Sequence, residues 1–275
     1  MISIPMRRYG AAILMLLTCI FSGSVLATTH TATKSHKASV VKKVKKPSSI
    51  KVSSKQEYSR NSVKSSSLPD LRKYPSGTPR KKAFLRTVMP YITKHNQAIT
   101  ADRNWLVSKQ YDGRWSPSEQ ARLKDIASRY KVKWSGNTRH IPWNSLLERV
   151  DIIPNSMVAT MAAAESGWGT SKLARENNNL FGMKCGGGNC RGAMKGYSQF
   201  ESVEQSVQAY VKNLNTHPAY SSFRKSRAQL RKTDQEVTAS AMIHKLKGYS
   251  TKGSSYNNYL FAMYQDNQRL IAAHM

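Results

Sequence analysis

The chain changes character near residue 83, and this change restricts the folded part to the residues that follow. Residues 28–82 contain fifteen lysines and arginines against two acids, are rich in Ser and Thr, and show no apolar periodicity. Such a segment cannot bury enough apolar surface to offset the entropy that it would lose on ordering. We therefore predict a disordered basic Ser/Thr/Lys-rich linker over 28–82 and a folded region that begins at Ala83.

The first 27 residues have the pattern of a secretory signal peptide. Arg7 and Arg8 precede a short apolar run over residues 11–20, and Val25 and Ala27 occupy the small-residue positions of a cleavage site. The apolar run is shorter than a membrane span requires, so we favour cleavage over retention as an uncleaved anchor. The sequence thus predicts a protein that is exported, with the periplasm as its location.

Export changes how the strong positive charge is interpreted. The formal net charge is +29, which by itself favours nucleic acid or an anionic surface as a partner. A protein that leaves the cytoplasm is separated from nucleic acid, so we expect no nucleic-acid binding. The basic linker is then either a tether to anionic envelope polymers or membrane lipid, or a plain solvated connection.

From Ala83 onward, apolar residues recur at helical spacing. Residues 83–99 form one such pattern, in which Pro90 predicts a kink or break. The stretch 177–200 is rich in Gly and Asn and fits a loop with a small hairpin. Three capping sequences, each a Ser or Thr followed three residues later by Glu or Gln, predict further helix starts at Ser116, Ser202 and Thr233.

Glu165 is the only charged side chain between residues 152 and 171. A helix that starts at Pro154 places Met157, Met161 and Glu165 one turn apart on a single apolar stripe that faces the core. Partial burial and the negative end of the helix dipole both disfavour an ionised carboxylate there. A carboxyl group biased toward its protonated form suits a general acid. The alternative is a Glu that caps neighbouring backbone or meets a distant Arg.

The sequence around Glu165 resembles the signature of the bacterial glucosaminidase family of peptidoglycan hydrolases, the endo-β-N-acetylglucosaminidase-like group. The matching stretch is AAAESGWGTSKLARENNNLFGMKC, in which an Ala-rich helix leads into E-S-G-W-G and N-L-F-G. Two further elements, YSQFESVEQSVQAYVKNL and GYSTKGSSYNNYL, match in order and spacing. We therefore expect a catalytic domain over 142–275, with residues 83–141 as a helical N-terminal part of the globular domain.

The resemblance implies a lysozyme-like, mainly α (α+β) fold with a small β-hairpin lobe. It implies cleavage of the β-1,4 bond that follows N-acetylglucosamine in peptidoglycan glycan strands, without a metal or cofactor. Glu165 matches the catalytic acid of the family, and Tyr249 matches its active-site tyrosine. Tyr256, Trp168 and Phe181 match motif aromatics that bind sugar faces, with core packing as the alternative for each ring.

The second catalytic carboxylate is missing from its expected place. Glycosidases usually use two carboxylates, but residues 177–200 contain no Asp or Glu. Glu201 and Glu204, with Glu176, are the nearest candidates for a second acid. Two other mechanisms need none: the substrate's acetamido group acts as nucleophile, or Glu165 acts alone as in lytic transglycosylases. A non-catalytic peptidoglycan-binding module is the remaining alternative.

Cys185 and Cys190 lie within the short lobe segment and are the two cysteines that remain after signal-peptide cleavage. In an oxidising compartment, two such cysteines predict a disulfide. A metal or redox pair is the alternative, but the segment contains no His, and a structural zinc needs four ligands.

Overall fold

The computed structural model describes residues 67–185, 194, 196–250 and 253–275, which are mainly helical. The mainly α fold implied by the family resemblance is confirmed. Two short 3-10 turns, Leu71–Lys73 and Pro218–Tyr220, precede α1 and α7. None of the described helices is both long enough and apolar enough to cross a membrane. The described helices are α1 (Thr78–Lys109), α2 (Pro117–Arg129), α3 (Trp143–Arg149), α4 (Asn155–Ser166), α5 (Lys172–Asn177), α6 (Val203–Thr216), α7 (Ser221–Lys232), α8 (Ala239–Ile243) and α9 (Ser254–Ala272).

The folded part begins earlier than the sequence predicted. Leu68 and Leu71 are buried in the hydrophobic core, and the backbone N–H of Leu68 donates to Asn178 Oδ1 at 2.9 Å. Residues 67–82 of the predicted linker therefore belong to the globular part. The prediction failed because two isolated leucines do not alter the polar composition of the segment, although their burial fixes it to the core. The predicted signal peptide and the rest of the linker lie outside the described residues.

Helix α1 continues through Pro90 without a break. Proline inside a helix removes one backbone hydrogen bond and costs about 3 kcal/mol. Val88, Met89 and Ile92 are all buried around it, and burial of one such side chain contributes roughly 1.5–3 kcal/mol. Of the kink or break that the sequence predicted at Pro90, the break is not found, because core packing on both sides of the proline outweighs its local cost.

Helix α4 lies at the centre of the core, packed against α1, α8 and α9. Met157 and Met161 are fully buried, as the apolar stripe predicted. Small alanines along this helix permit close approach of its neighbours. The helix ends at Ser166, and Gly167 follows in the left-handed conformation with φ of 58°, which glycine adopts without a steric penalty.

Two of the three predicted helix caps are confirmed. Ser116 forms a reciprocal capping box with Glu119 at the start of α2, and the Ser202 side chain accepts from the backbone N–H of Gln205 at the start of α6. The third prediction is wrong, because Thr238, not Thr233, caps α8. Thr233 instead follows the last turn of α7, so its Thr-x-x-Glu spacing does not start a helix.

A buried polar network holds the connection between α3 and α4. Asp151, 1% exposed, lies within 4.0 Å of the guanidinium groups of Arg103, Arg227 and Arg231. Arg227 is fully buried and also donates to the backbone carbonyl of Asp151 and to Asn215 Oδ1 on α6. Burial lowers the pKa of Arg227 to about 10. The network joins α1, α6 and α7 at the point where the chain enters α4.

The described residues include the base of the small lobe. Lys184 and Tyr197 form an isolated antiparallel bridge, and Asn179 Nδ2 donates to the carbonyls of Met183 and Ser198, which stand on the two sides of the lobe. The predicted hairpin tip, 186–193, lies outside the described residues. The base of the lobe is thus held by a buried Asn from the N-N-N-L sequence.

Candidate active site

A cleft of about 660 Å³ opens beside the C-terminal end of α4. Its walls come from the last turn of α4, the base of the lobe, α6, the 3-10 turn before α7, and the first turn of α9. The residues that line it are Glu165, Phe181, Gly182, Met183, Lys184, Tyr210, Asn213, His217, Tyr220, Tyr249, Ser250 and Tyr256.

Glu165 is half-buried in the last turn of α4, with its carboxyl group in the cleft. The hydroxyl of Tyr256 donates a hydrogen bond to Glu165 Oε1. The other oxygen, Oε2, faces Gly182, where an added Cβ would lie 3.7 Å away. One carboxyl oxygen is therefore held by a tyrosine, and the other stands beside a position that has no side chain.

Glu165 is the only carboxylate among the described residues that line the cleft. Every Asp and Glu of the chain except Glu57 falls in the described part, so nearly all candidates for a second acid can be located. Glu204 forms an ion pair with Lys94 at 2.9 Å, and neither it nor Glu201 lines the cleft. The structure does not bring the sequence-predicted second acids to Glu165.

Tyr249 and Tyr256 are both brought to the cleft, with ring centroids 5.5 Å apart in a stacked arrangement. Burial, with the negative charge of Glu165, raises the pKa of Tyr249. Burial, followed by the interactions with Tyr249 and Glu165, raises the pKa of Tyr256. Both phenols therefore stay protonated at neutral pH and serve as hydrogen-bond donors.

Aromatic rings form part of the cleft wall. Phe181 is 4% exposed and stacks on Tyr210 with ring centroids 3.9 Å apart, so one ring both packs in the core and forms cleft wall. Tyr210 in turn meets Tyr249 edge to face at 6.5 Å, and Tyr220 lies 6.2 Å from Tyr249. The wall joins the two sequence-predicted aromatics Phe181 and Tyr249 into one surface.

Three lining residues from α6 and its end were missed in the sequence. Tyr210, Asn213 and His217 stand three and then four residues apart, which places them on one face of a helix. Their helical spacing does not by itself show which face of α6 lines a site. His217 Nδ1 accepts from the backbone N–H of Ala219 at 3.2 Å, which fixes the ring at the end of the cleft.

Trp168 is not brought to the cleft. Its backbone is in the left-handed region with φ of 56°, and its ring meets Phe84 of α1 edge to face with centroids 5.6 Å apart. The ammonium group of Lys81 lies 5.1 Å from the centre of the same ring. The ring therefore packs α1 against the turn after α4, which is the alternative that the sequence left open.

Cys185 is disulfide-bonded, whereas its predicted partner Cys190 lies outside the described residues. Among the described residues, no three His, Cys, Asp or Glu side chains cluster closely enough to hold a metal ion. The polar side chains that the cleft offers in its described part are thus one carboxyl group, four phenols, an imidazole, an ammonium group, an amide and a hydroxyl.

Comparison with known proteins identifies the family of the chain. Residues 142–269 match the glucosaminidase family model, described as mannosyl-glycoprotein endo-beta-N-acetylglucosaminidase. The chain is 80% identical over 278 residues to "Protein bax" of Escherichia coli (strain K12), with 100% of each chain covered. No solved structure gives a significant match. With Glu165 and Tyr256 paired inside the matched region and a relative this similar along its whole length, the chain belongs to the glucosaminidase family, as a bax-like member.

Proposed function

We propose that this protein is a peptidoglycan hydrolase, an endo-β-N-acetylglucosaminidase that cleaves the β-1,4 bond following N-acetylglucosamine. The observation that carries the proposal is the carboxyl group of Glu165, the only one among the described residues that line an aromatic-walled cleft, and its hydrogen bond from Tyr256. Aromatic walls suit sugars because rings bury the apolar C–H faces while hydroxyls keep polar partners. The family match supports this substrate class.

In the proposed mechanism, Glu165 donates its proton to the glycosidic oxygen as the bond to the anomeric carbon breaks. The substrate's own acetamido oxygen attacks that carbon and takes the place of the absent second carboxylate. Tyr249, a neutral donor in the cleft, holds the acetamido group in position. Substrate assistance is favoured because the candidate acids Glu201 and Glu204 do not line the cleft.

Glu165 then acts as the base of the second step. Its carboxylate removes a proton from water, the water oxygen bonds to the anomeric carbon, and the acetamido group is released unchanged. The proton taken from water restores the acid form of Glu165, which completes the cycle. Tyr256 holds Oε1 throughout, so Oε2 beside Gly182 is the oxygen that transfers the proton.

Mass analysis of products from purified peptidoglycan tests this proposal. We expect fragments with N-acetylglucosamine at the reducing end. Fragments that end in reducing N-acetylmuramic acid would indicate a muramidase and would contradict the bond assignment. Binding to sacculi without any new reducing ends would identify a non-catalytic binding module.

One observation favours a second candidate reaction. Glu165 is the only carboxylate that the structure describes in the cleft wall, which also suits a lytic-transglycosylase-like reaction, in which Glu165 acts first as acid and then as base toward a sugar hydroxyl. No water enters that reaction, and the product is an anhydro-muramic fragment, which the same mass analysis distinguishes.

The proposed setting of this activity is the periplasm. In this proposal the chain consists of a signal peptide over 1–27, a basic linker that follows it, a helical part up to residue 141 and a catalytic domain over 142–275. Peptidoglycan is extracytoplasmic, so a family domain that acts on it supports export. The linker then acts as a tether to anionic polymers or lipid.

Replacing Tyr256 with phenylalanine is expected to lower kcat by roughly tenfold to a hundredfold, with KM changed less than threefold. The change removes a hydrogen bond to the carboxylate that forms as Glu165 gives up its proton, which contributes about 1.5–3 kcal/mol, and leaves the ring in place. Turnover on purified glycan strands measures the effect. Tyr259→Phe is the matched control, because that ring lies one turn along α9, is exposed, and makes no contact with Glu165. Equal losses in both variants would contradict a role for Tyr256 at Glu165.

A further inference from the structure

A second cavity, of about 590 Å³, lies between α1, α3 and α7 and shares no lining residue with the Glu165 cleft. We name it the basic pocket. Its charged lining residues are four cations and one acid: Arg103, Lys225, Arg231, Lys232 and Glu148.

The two arginines of the basic pocket share one carboxylate with a third. Asp151 lies 3.6 Å from Arg103, 3.0 Å from Arg231 and 3.7 Å from the buried Arg227. One negative charge therefore faces three positive charges. The positive charge that Asp151 does not balance remains with the two arginines whose side chains line the pocket.

The acid of the pocket wall does not neutralise the lysines. Glu148 lies 3.6 Å from Arg224, a buried arginine of α7. Lys225 and Lys232 are exposed and make no ion pair or hydrogen bond with any residue that the structure describes. Both ammonium groups are therefore available to a ligand.

The spacing of the lysines indicates the shape of that ligand. Lys225 and Lys232 lie seven residues apart on one face of α7, which is roughly 10 Å along the helix. Gln229 lies between them and also lines the pocket. Two anionic groups at that spacing can each pair with one lysine, and in a polyproline II peptide the side chains of residues three apart lie on one side, about 9 Å apart.

We infer that the basic pocket binds a short acidic peptide in the polyproline II conformation. Carboxylates three residues apart pair with Lys225 and Lys232, and the amide side chains of Gln229 and Asn144 bind peptide groups between them. The N-terminal segment of the same chain is excluded as the occupant, because residues 1–66 contain one acid, Glu57, among many lysines. Stem peptides of peptidoglycan carry free carboxylates and would be the source, a link that rests on the proposed function.

Calorimetry with the full chain tests the inference. The probe is a tetrapeptide, N-acetylated and C-amidated, with glutamate at its first and last positions, and the control peptide carries glutamine there. We expect binding of the acidic peptide only. The double variant Lys225→Gln/Lys232→Gln should weaken binding about tenfold, because it removes both cations that pair with the carboxylates of the peptide.

The matched control is Lys124→Gln/Lys133→Gln, which removes the same charge from two exposed lysines outside the pocket. It should change the affinity less than twofold. Equal weakening by both double variants, or no binding of the acidic peptide, would overturn the inference. So would displacement of the peptide by an equal concentration of inorganic phosphate. Glu165→Gln should bind the peptide normally, so failure of this site and failure of the proposed hydrolase are separable.

Discussion

A Glu165→Gln variant is expected to release no glycan fragments above background, a fall in turnover of roughly a thousandfold or more. Glutamine keeps the shape of the side chain and can accept the hydrogen bond from Tyr256, but it has no acidic proton to give to the glycosidic oxygen. Among the described residues, no other carboxylate lines the cleft to replace it. Release of reducing ends from purified peptidoglycan measures the loss, and a thermal unfolding curve shows that the variant is folded.

Glu204→Gln is the matched control for this prediction. Glu204 undergoes the same chemical change, but its carboxylate pairs with Lys94 outside the cleft, so turnover should stay within about twofold because a surface ion pair contributes at most about 1 kcal/mol. Full activity of Glu165→Gln would refute the assignment of the general acid. Loss of activity in Glu204→Gln would instead restore a two-carboxylate mechanism.

The elements that the sequence predicted correctly depend on local interactions. The Ser116 capping box and the Ser202 cap of α6 involve residues three positions apart, so their signals survive without knowledge of the fold. Pro90 and Leu71 show the limit of this reasoning. The helix around Pro90 and the order of the segment at Leu71 both depend on burial against distant parts of the chain, which composition and spacing do not report.

The site residues also divide into those that a local motif predicts and those whose direction depends on packing against distant parts of the chain. Glu165, Tyr249 and Tyr256 were predicted because family motifs fix their positions, and the structure brings all three to one cleft. Trp168 belongs to the same motif but turns toward α1. Its direction is set by a left-handed backbone turn and by the packing of α1, neither of which is encoded in the motif itself. His217 was missed for the converse reason, since helical spacing alone does not say which face of α6 meets the site.

An Asp151→Asn variant is expected to lose about 3–5 kcal/mol of unfolding free energy. Asp151 is 1% exposed and is the only acid within 4.0 Å of Arg227 or Arg231 among the described residues. Asparagine removes the negative charge and directs an N–H₂ group toward guanidinium donors, so buried positive charge is left uncompensated. Urea unfolding, followed by circular dichroism, measures the change without the ionic screening of guanidinium.

Asp125→Asn provides the comparison, because its carboxylate pairs with Arg129 at 2.8 Å but is 62% exposed. An exposed pair contributes at most about 1 kcal/mol, so burial and the number of paired arginines separate the two expected results. Arg227 also donates to the carbonyls of Asp151, Ile152 and Glu148. If Asp151→Asn cost no more than Asp125→Asn, these carbonyls would suffice to hold the arginine, and the carboxylate would not be what fixes the entry into α4. A cost several times larger would show that the charge of Asp151 secures the helix that carries Glu165.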